Sequence, residues 1–436
     1  MDSADSGVFK VASVGGYLDA FSSISREMSL LERSNLIYLD KCLHKQWGLG
    51  QNVLLNWCPQ ANGIALLVVP HYAVADFATV QVPDNLPRAN GNGSLMDLRR
   101  PRPSEDFFKS LLSGRRRLEP DQMAKVARLL GVEVTHLLLR QPLSDSPNQQ
   151  AIVEKMVKRY SITYVPSRAV ALFDIVGFSL LSPFEQMTQL NSLSYSLNSA
   201  QHKLTSKRIG IDFARSTTGD GFYIWNRDLT LEANLNLFHF MHLVLADNAI
   251  AQSKARQNTV PRLRACFHVG GSYEFHQAEG LNPTLYNYIV GDVTVALARI
   301  IERTRPGQIL VGEFAAQMLA QDADAMSLSH ALLDSMDFVE RAARTVAQLT
   351  GIELSGERVE LIKCYLTGTR LENGRFTVRR LITRDKHGIA RNVYNAKANI
   401  YRRNAAPILL GIEDHVVGAD DSLHDRSEHL LRPAPI

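Results

Sequence analysis

"VALFDIVGFS", residues 170–179, begins as a buried strand and then stops behaving like one. Val170, Leu172 and Phe173 are core residues, and Asp174 follows them with no polar ramp. A carboxylate at the end of an apolar strand costs several kcal/mol, roughly, unless a partner compensates it. No Lys or Arg is adjacent in sequence, and Gly177 permits a sharp turn just beyond. Asp174 is therefore a candidate site residue whose charge has no basic partner beside it.

Outward from this stretch, short strands alternate with helices from about 160 to 400. A helical region at 183–205 precedes "IGIDFARSTTGDGFYIWNRD", residues 209–228, which reads as two strands joined at a tight turn. A helix follows at 230–256, then "RLRACFHVGGSYEF" at 262–275, read as a strand pair. "GDVTVALARIIERTRPGQ" is a helix ended by Pro-Gly, and "ILVGEF" is a strand. An α+β sandwich is the natural packing. Asp220 stands in the turn "TTGDGF", so adjacent strands would bring it to the same sheet end as Asp174. Two close anions repel unless cations lie between them. No Cys/His cluster suggests zinc, and hard oxygen ligands point to Mg²⁺ or Mn²⁺. Two such cations beside a Gly-bearing turn make a site for a nucleoside triphosphate.

"FDIVGFS", "TTGDGF", "RLRACFHVGG", "VGDVTVALARI" and "PGQILV" occur in the order and rough spacing of the class III nucleotidyl cyclase catalytic domain, which residues 165–315 resemble, with a weaker extension to 400. The resemblance implies a ferredoxin-like cyclase fold and a head-to-tail homodimer with active sites shared between protomers. The reaction would turn a nucleoside triphosphate into its 3′,5′-cyclic monophosphate and pyrophosphate. Asp174 and Asp220 match the two metal-binding aspartates, and the Ile175 carbonyl matches a further ligand. The backbone of Val176, Gly177, Phe178 and Ser179 matches the phosphate-cradling turn. Arg299, eight residues after Gly291, matches the arginine that stabilises charge on the α-phosphate. The family's ribose-contacting Asn is replaced by Val295, beside which Thr294 is the substitute. Lys386, in "RDKHGIARNVYN", is the candidate phosphate lysine.

The base-reading positions depart from both purine patterns. Ser216 stands where adenylate cyclases have Lys and guanylate cyclases Glu, and Tyr288 stands where Asp- or Cys-like residues are usual. A bulky Tyr facing a short Ser narrows the pocket toward a pyrimidine. Arg215, next to Ser216, would donate to a pyrimidine carbonyl, which favours UTP over CTP. "FARSTTGDGF" and the late "DKHG…YN" are similar to the pyrimidine cyclases of Pycsar anti-phage defence. That likeness implies manganese, cyclic UMP or cyclic CMP as product, and a separate effector activated by it.

The remaining segments carry less chemistry. The chain has 436 residues, 45% hydrophobic and 21% charged, with a net charge of +4, too weak a bias to argue for nucleic acid. Cys42, Cys58, Cys266 and Cys364 are scattered and read as unpaired thiols in a reducing cytosol. No signal peptide is apparent, and the apolar stretches are too interrupted to span a membrane. Residues 1–82 read as an N-terminal module, 83–105 as a Pro/Gly-rich linker, and 405–436 as a tail. Residues 106–140 resemble the C-terminal half of a Cro/repressor-type helix-turn-helix, including a short leucine-rich helix after "LLGV". A small helical scaffold with a solvated basic turn at Arg115, Arg116 and Arg117 is the plainer reading. His239, His242 and His268 read as core or structural histidines, and Arg303 as a solvated partner of Glu302 or a neighbour. Three functional classes stay open: a pyrimidine cyclase in defence, an atypical adenylate cyclase, and a non-catalytic nucleotide sensor or DNA-binding regulator.

Overall fold

Ser29 opens the first helix with a capping box: its hydroxyl accepts from the Glu32 N–H while Glu32 reaches back to the Ser29 backbone. The computed structural model describes residues 28–78, 105–278, 285–321, 328–368, 377–385, 388–413, 423–425 and 430–431. They form two compact units, 1–164 with 273–288, and 165–272 with 289–436.

In the first unit α1 (Leu30–Trp47) leads into the antiparallel hairpin β1 (Asn52–Gln60) and β2 (Gly63–Pro70). Next come α2 (His71–Ala78), α3 (Glu105–Ser113), α4 (Pro120–Leu130), β3 (Val134–Leu138) and α5 (Pro147–Arg159). One core joins Leu36, Leu39 and Leu43 of α1 to Ile152, Val153 and Met156 of α5. Another sets Phe108, Met123 and Leu130 of α3 and α4 against Val53, Leu55 and Leu67 of the sheet.

This arrangement corrects the helix-turn-helix reading. The expected leucine-rich helix is strand β3, which pairs with β2 and completes a three-stranded sheet. Val132, Val134 and Thr135 are β-branched and suit a sheet edge better than a helix. The basic turn is solvated only in part: Arg115 is exposed, whereas Arg116 is fully buried, its guanidinium donating to the carbonyls of Leu111, Leu112 and Ile162. Glu154 accepts from the backbone N–H groups of both Arg116 and Arg117. The 106–140 segment thus shares one sheet with residues 52–70 instead of standing apart. Of the expected linker, only residue 105 lies within the described residues.

In the second unit β4 (Thr163–Ile175), α6 (Pro183–Ser206), β5 (Phe213–Thr217), β6 (Gly221–Asn226), α7 (Leu231–Lys254) and β7 (Leu263–Ala278) run in βαββαβ order. Their spatial order β7-β4-β6-β5 is fourth, first, third, second, the ferredoxin-like arrangement. The expected α+β class is therefore met. After β8 (Leu285–Val290), whose residues 285–288 belong to the first unit, and α8 (Asp292–Ile301), β9 (Ile309–Gly312) joins parallel to β7. A separate hairpin of β10 (Ala315–Gln321) and β11 (Leu328–Asp334) precedes α9 (Ser335–Thr345). Then follow β12 (Glu353–Leu354), β13 (Glu357–Leu366), β14 (Thr377–Val378), β15 (Arg380–Arg384), β16 (Ala390–Arg402) and β17 (Ala405–Leu410).

Two core layers flank the sheet. Ala169, Ala171, Phe173 and Ile175 of β4 face α6 and α7, whereas Val170 and Leu172 face α8. Helix α7 is buried almost all round, which explains its apolar sequence without a membrane. Among the described residues no helix is long and apolar enough to span one. Two expectations fail here. Residues 263–278 are one continuous strand: Gly270 and Gly271 are no turn, and a Cβ at Gly270 would sit 3.4 Å from Val293 of α8. They allow close approach instead. Residues 405–410 are not tail but strand β17, paired with β16 and burying Ile408 and Leu410.

Candidate active site

Pairing register builds the site. β4 and β6 run antiparallel with Asp174 opposite Gly221 and Leu172 opposite Tyr223. Asp220, one residue before β6, thereby arrives at the end of β4, and the Ile175 N–H donates to the Asp220 carbonyl at 3.0 Å. A Cβ at Gly221 would lie 1.9 Å from the Phe173 carbonyl oxygen, so only glycine lets the strands close here. Thr218 Oγ1 donates to Asp220 Oδ1 at 3.1 Å.

Asp174 is 6% exposed. Burial pushes its carboxyl above the ordinary carboxylate range, Arg264 opposes the shift, and Asp220, within hydrogen-bonding reach, adds to it. The two aspartates do converge, as expected. The premise that Asp174 has no basic partner is overturned: Arg264 Nε donates to Asp174 Oδ2 at 2.6 Å. Arg264 lies ninety residues away, on β7, and strand alternation puts it on the same face. Its place in "RLRACF", beside a strand core, was the available signal.

After Ile175 the chain turns through Gly177, at φ 70, into a short 3₁₀ segment, Phe178–Leu180. The Val176 N–H already donates to the Arg262 carbonyl at 2.9 Å. Of the expected phosphate cradle, that leaves the backbone of Gly177, Phe178 and Ser179. Ser182 then caps α6.

The expected base-reading residues do not share a face. Ser216 pairs with Tyr223 and Ala214 with Trp225, whose side chains belong to the α8-side layer with Leu172. Arg215 pairs with Ile224 on the opposite face, and its guanidinium lies 5.3 Å from the Phe222 ring centroid. Adjacent strand residues point to opposite faces, so Arg215 cannot join Ser216 in one pocket. Tyr288 belongs to the first unit, where its ring stacks on Phe275 at 5.7 Å. Thr294 Oγ1 donates within its own helix turn to the Gly291 carbonyl at 2.9 Å, while Val295 is exposed.

Arg299, on α8, is held by Asp385: its Nε lies 3.4 Å from Asp385 Oδ2. Sequence reasoning missed Asp385, though it adjoins Lys386. Lys386 itself lies outside the described residues. Arg303 donates to the Arg384 carbonyl at 3.0 Å instead of pairing with Glu302. His239 and His242 are buried, and burial lowers their pKa values to about 4 and about 3. His268 is likewise lowered by burial to about 4. None of the three is arranged as a ligand; among the described residues no cluster of three or more His, Cys, Asp and Glu side chains could hold a metal. Two carboxylates in contact, with a backbone carbonyl beside them, remain a donor set that suits a hard divalent cation.

No family model matches the chain, and no curated protein matches it. Solved structures do. The adenylyl cyclase CyaB from P. aeruginosa is 13% identical, over 40% of this chain and 97% of that one, with a TM-score of 0.27. The guanylate cyclase domain of RhGC from Catenaria anguillulae, solved with GTP, is 12% identical over 56% of this chain and 100% of that one, with a TM-score of 0.30. At these scores the likeness by itself decides neither fold nor activity.

Proposed function

We propose that the chain is a nucleotidyl cyclase of the class III type that converts a pyrimidine nucleoside triphosphate into its 3′,5′-cyclic monophosphate and pyrophosphate. One observation carries the reading: Asp174 and Asp220 meet at one end of a ferredoxin-like sheet, beside a Gly177 turn, through the Asp174–Gly221 register. Two carboxylates at contact distance, one of them buried, create a demand for positive charge that a metal-bound triphosphate would meet.

The residues present fit Mn²⁺ or Mg²⁺, with Asp174, Asp220 and the Ile175 carbonyl as the protein ligands of two ions. Bound there, such ions would acidify the ribose 3′-hydroxyl and neutralise charge on the triphosphate. The turn at Gly177, Phe178 and Ser179 would receive phosphate oxygens on its backbone. Arg299, its Nε engaged by Asp385 and its Nη1 3.9 Å from Glu302, would turn its guanidinium edge to the α-phosphate, and Lys386 would add a second cation. In this reading Arg299 acts from the opposite protomer of a homodimer. The product would diffuse to a separate effector in anti-phage defence.

Ser216, on the face of Asp174, and Tyr288 remain the proposed base readers. With Arg215 turned to the other face, the reason for ranking UTP above CTP is lost. A Ser hydroxyl both donates and accepts, so it serves either pyrimidine. The test is purified protein with equal UTP, CTP, ATP and GTP plus Mn²⁺, products resolved by mass spectrometry. Cyclic UMP or cyclic CMP with equimolar pyrophosphate is expected. Cyclic AMP as main product would overturn the pyrimidine assignment, and no cyclic product from any of the four would overturn the cyclase reading.

A further inference from the structure

Arg264 is fixed at both ends. Nε holds Asp174 Oδ2 at 2.6 Å, and Nη1 donates to the Thr304 carbonyl at 3.1 Å. Thr304 is buried just past α8, its hydroxyl donating to the Ile300 carbonyl at 2.9 Å. Cys266, two residues along β7, contacts that hydroxyl at 3.1 Å. This is a built ion pair, with side chains 27% and 9% exposed, and not a mobile surface contact. It occupies one oxygen of the carboxylate that the proposed chemistry needs for a cation.

We propose that Arg264 is the resting counter-cation of the acidic pair and a positioning residue for it. The inference rests on the reading of Asp174 and Asp220 as a divalent-cation site. Without metal, the guanidinium balances one of two neighbouring negative charges and fixes the orientation of Asp174. When a divalent cation binds, Arg264 Nε leaves Oδ2, while the Thr304 carbonyl keeps the guanidinium tethered at the end of the helix that carries Arg299. Arg264 thus competes with the metal, lowers its affinity, and couples metal arrival to a shift beside α8. Such a guanidinium also spares the buried carboxylate an uncompensated charge while the site awaits its substrate.

The experiment is Mn²⁺ titration of full-length protein without nucleotide, with free Mn²⁺ read by electron paramagnetic resonance. It compares wild type, Arg264→Gln, Arg264→Lys and Asp220→Asn. Arg264→Gln should bind Mn²⁺ about tenfold more tightly, the worth of one charge-assisted hydrogen bond to the competing donor. Its Tm in EDTA should fall, and Mn²⁺ should recover more of it than Mn²⁺ adds to wild type. Arg264→Lys keeps the charge but loses the two-point fork, so a smaller gain, roughly threefold, is expected. Unchanged or weaker Mn²⁺ affinity in a folded Arg264→Gln variant would overturn the inference, as would a Tm loss that Mn²⁺ leaves untouched. Should Arg264→Gln not fold, wild-type affinity in Arg264→Lys would overturn it. If wild type shows no Mn²⁺ binding that Asp220→Asn removes, the cation-site reading itself fails, and this inference with it.

Discussion

Gly221→Ala separates placement of the acidic pair from its chemistry, because it touches neither carboxylate. A Cβ on Gly221 would stand 1.9 Å from the Phe173 carbonyl oxygen and 3.1 Å from the Asp174 Cα, where ordinary contact begins at 3.4 Å. These are backbone atoms and cannot swing away. β6 must therefore back off β4 by about 1.5 Å at its first residue, beside Asp220. Overpacking of this kind costs about 1–3 kcal/mol, or about 2–4 °C in Tm per kcal/mol for a unit of this size. The larger effect falls on the chemistry: a displacement of about 1 Å in a reacting constellation costs about 10²-fold. The assay is turnover under saturating Mn²⁺ and triphosphate, with Tm measured in parallel. Two controls frame it. Gly219→Ala, at φ 98 with nothing within 4 Å of the new methyl, meets only backbone strain and should lose far less. Gly63→Ala makes the same 1.9 Å clash, with the Leu137 carbonyl oxygen in the first unit, and should lower stability while sparing turnover. Wild-type turnover by Gly221→Ala would refute the reasoning, and so would an equal loss in Gly63→Ala.

Asp174→Ala and Asp220→Ala should each cut cyclisation by 10³-fold or more, roughly, while circular dichroism stays native; near-wild-type rates in either would sink the acidic-pair assignment. Mixing inactive Asp174→Ala with inactive Arg299→Ala should restore activity if sites are shared, and subunit exchange without recovery would exclude sharing. Asp385→Asn should lower kcat by about ten- to a hundredfold with little change in Tm, because the amide can keep the bond from the Ile389 N–H but not the charge beside Arg299; unaltered kcat would count against a positioning role. His239 and His242 are buried and His268 is half-buried, and loss of solvation lowers their pKa values to about 4, 3 and 4. As pH falls below 6.5 the unfolded chain takes up protons first, so their contribution to stability is present above 6.5 and drains away toward pH 4. A melting temperature flat from pH 7 to 5 would contradict this.

The βαββαβ core was legible because its signals are local. Apolar runs of strand length and Gly-Asp-Gly at a hairpin act over a few residues and lie where they were expected, and Ser182 and Glu185 cap the helix read from 183. What misled was context. "VEVTHLLL" is rich in leucine and reads as a short helix, yet β2 offers an open edge, and tertiary pairing prevails over a short local preference. "VGGSY" looks like a turn because two glycines usually make one. Here they clear space for α8 within one long strand. The terminal residues 405–410 show no long period, since a single edge strand needs only Ile408 and Leu410 to anchor it.

The site was half legible for a related reason. Its two acidic residues announce themselves as charges in apolar frames, and register alone brings them together. The charged partners of its residues do not announce themselves, because such a partner can come from any strand or turn on the same face. Arg264 and Asp385 were hidden in this way: one reads as a strand residue, the other as part of a turn. Face assignment also separates Arg215 from Ser216. Adjacent in sequence, they are on opposite sides of the sheet, and no one-dimensional alignment of base-reading positions reveals which side holds the chemistry. Asp174, Arg264, Ser216 and Tyr223 share the α8 face, and Tyr223 donates to the Thr294 carbonyl of α8 at 3.2 Å. The Arg264–Thr304 and Tyr223–Thr294 bonds therefore grip α8 near both of its ends, and Arg299 lies between them. A change in charge at Asp174 reaches that helix through one arginine, and since Arg299 is proposed to serve the opposite protomer's acidic pair, that route would couple the two sites of a dimer.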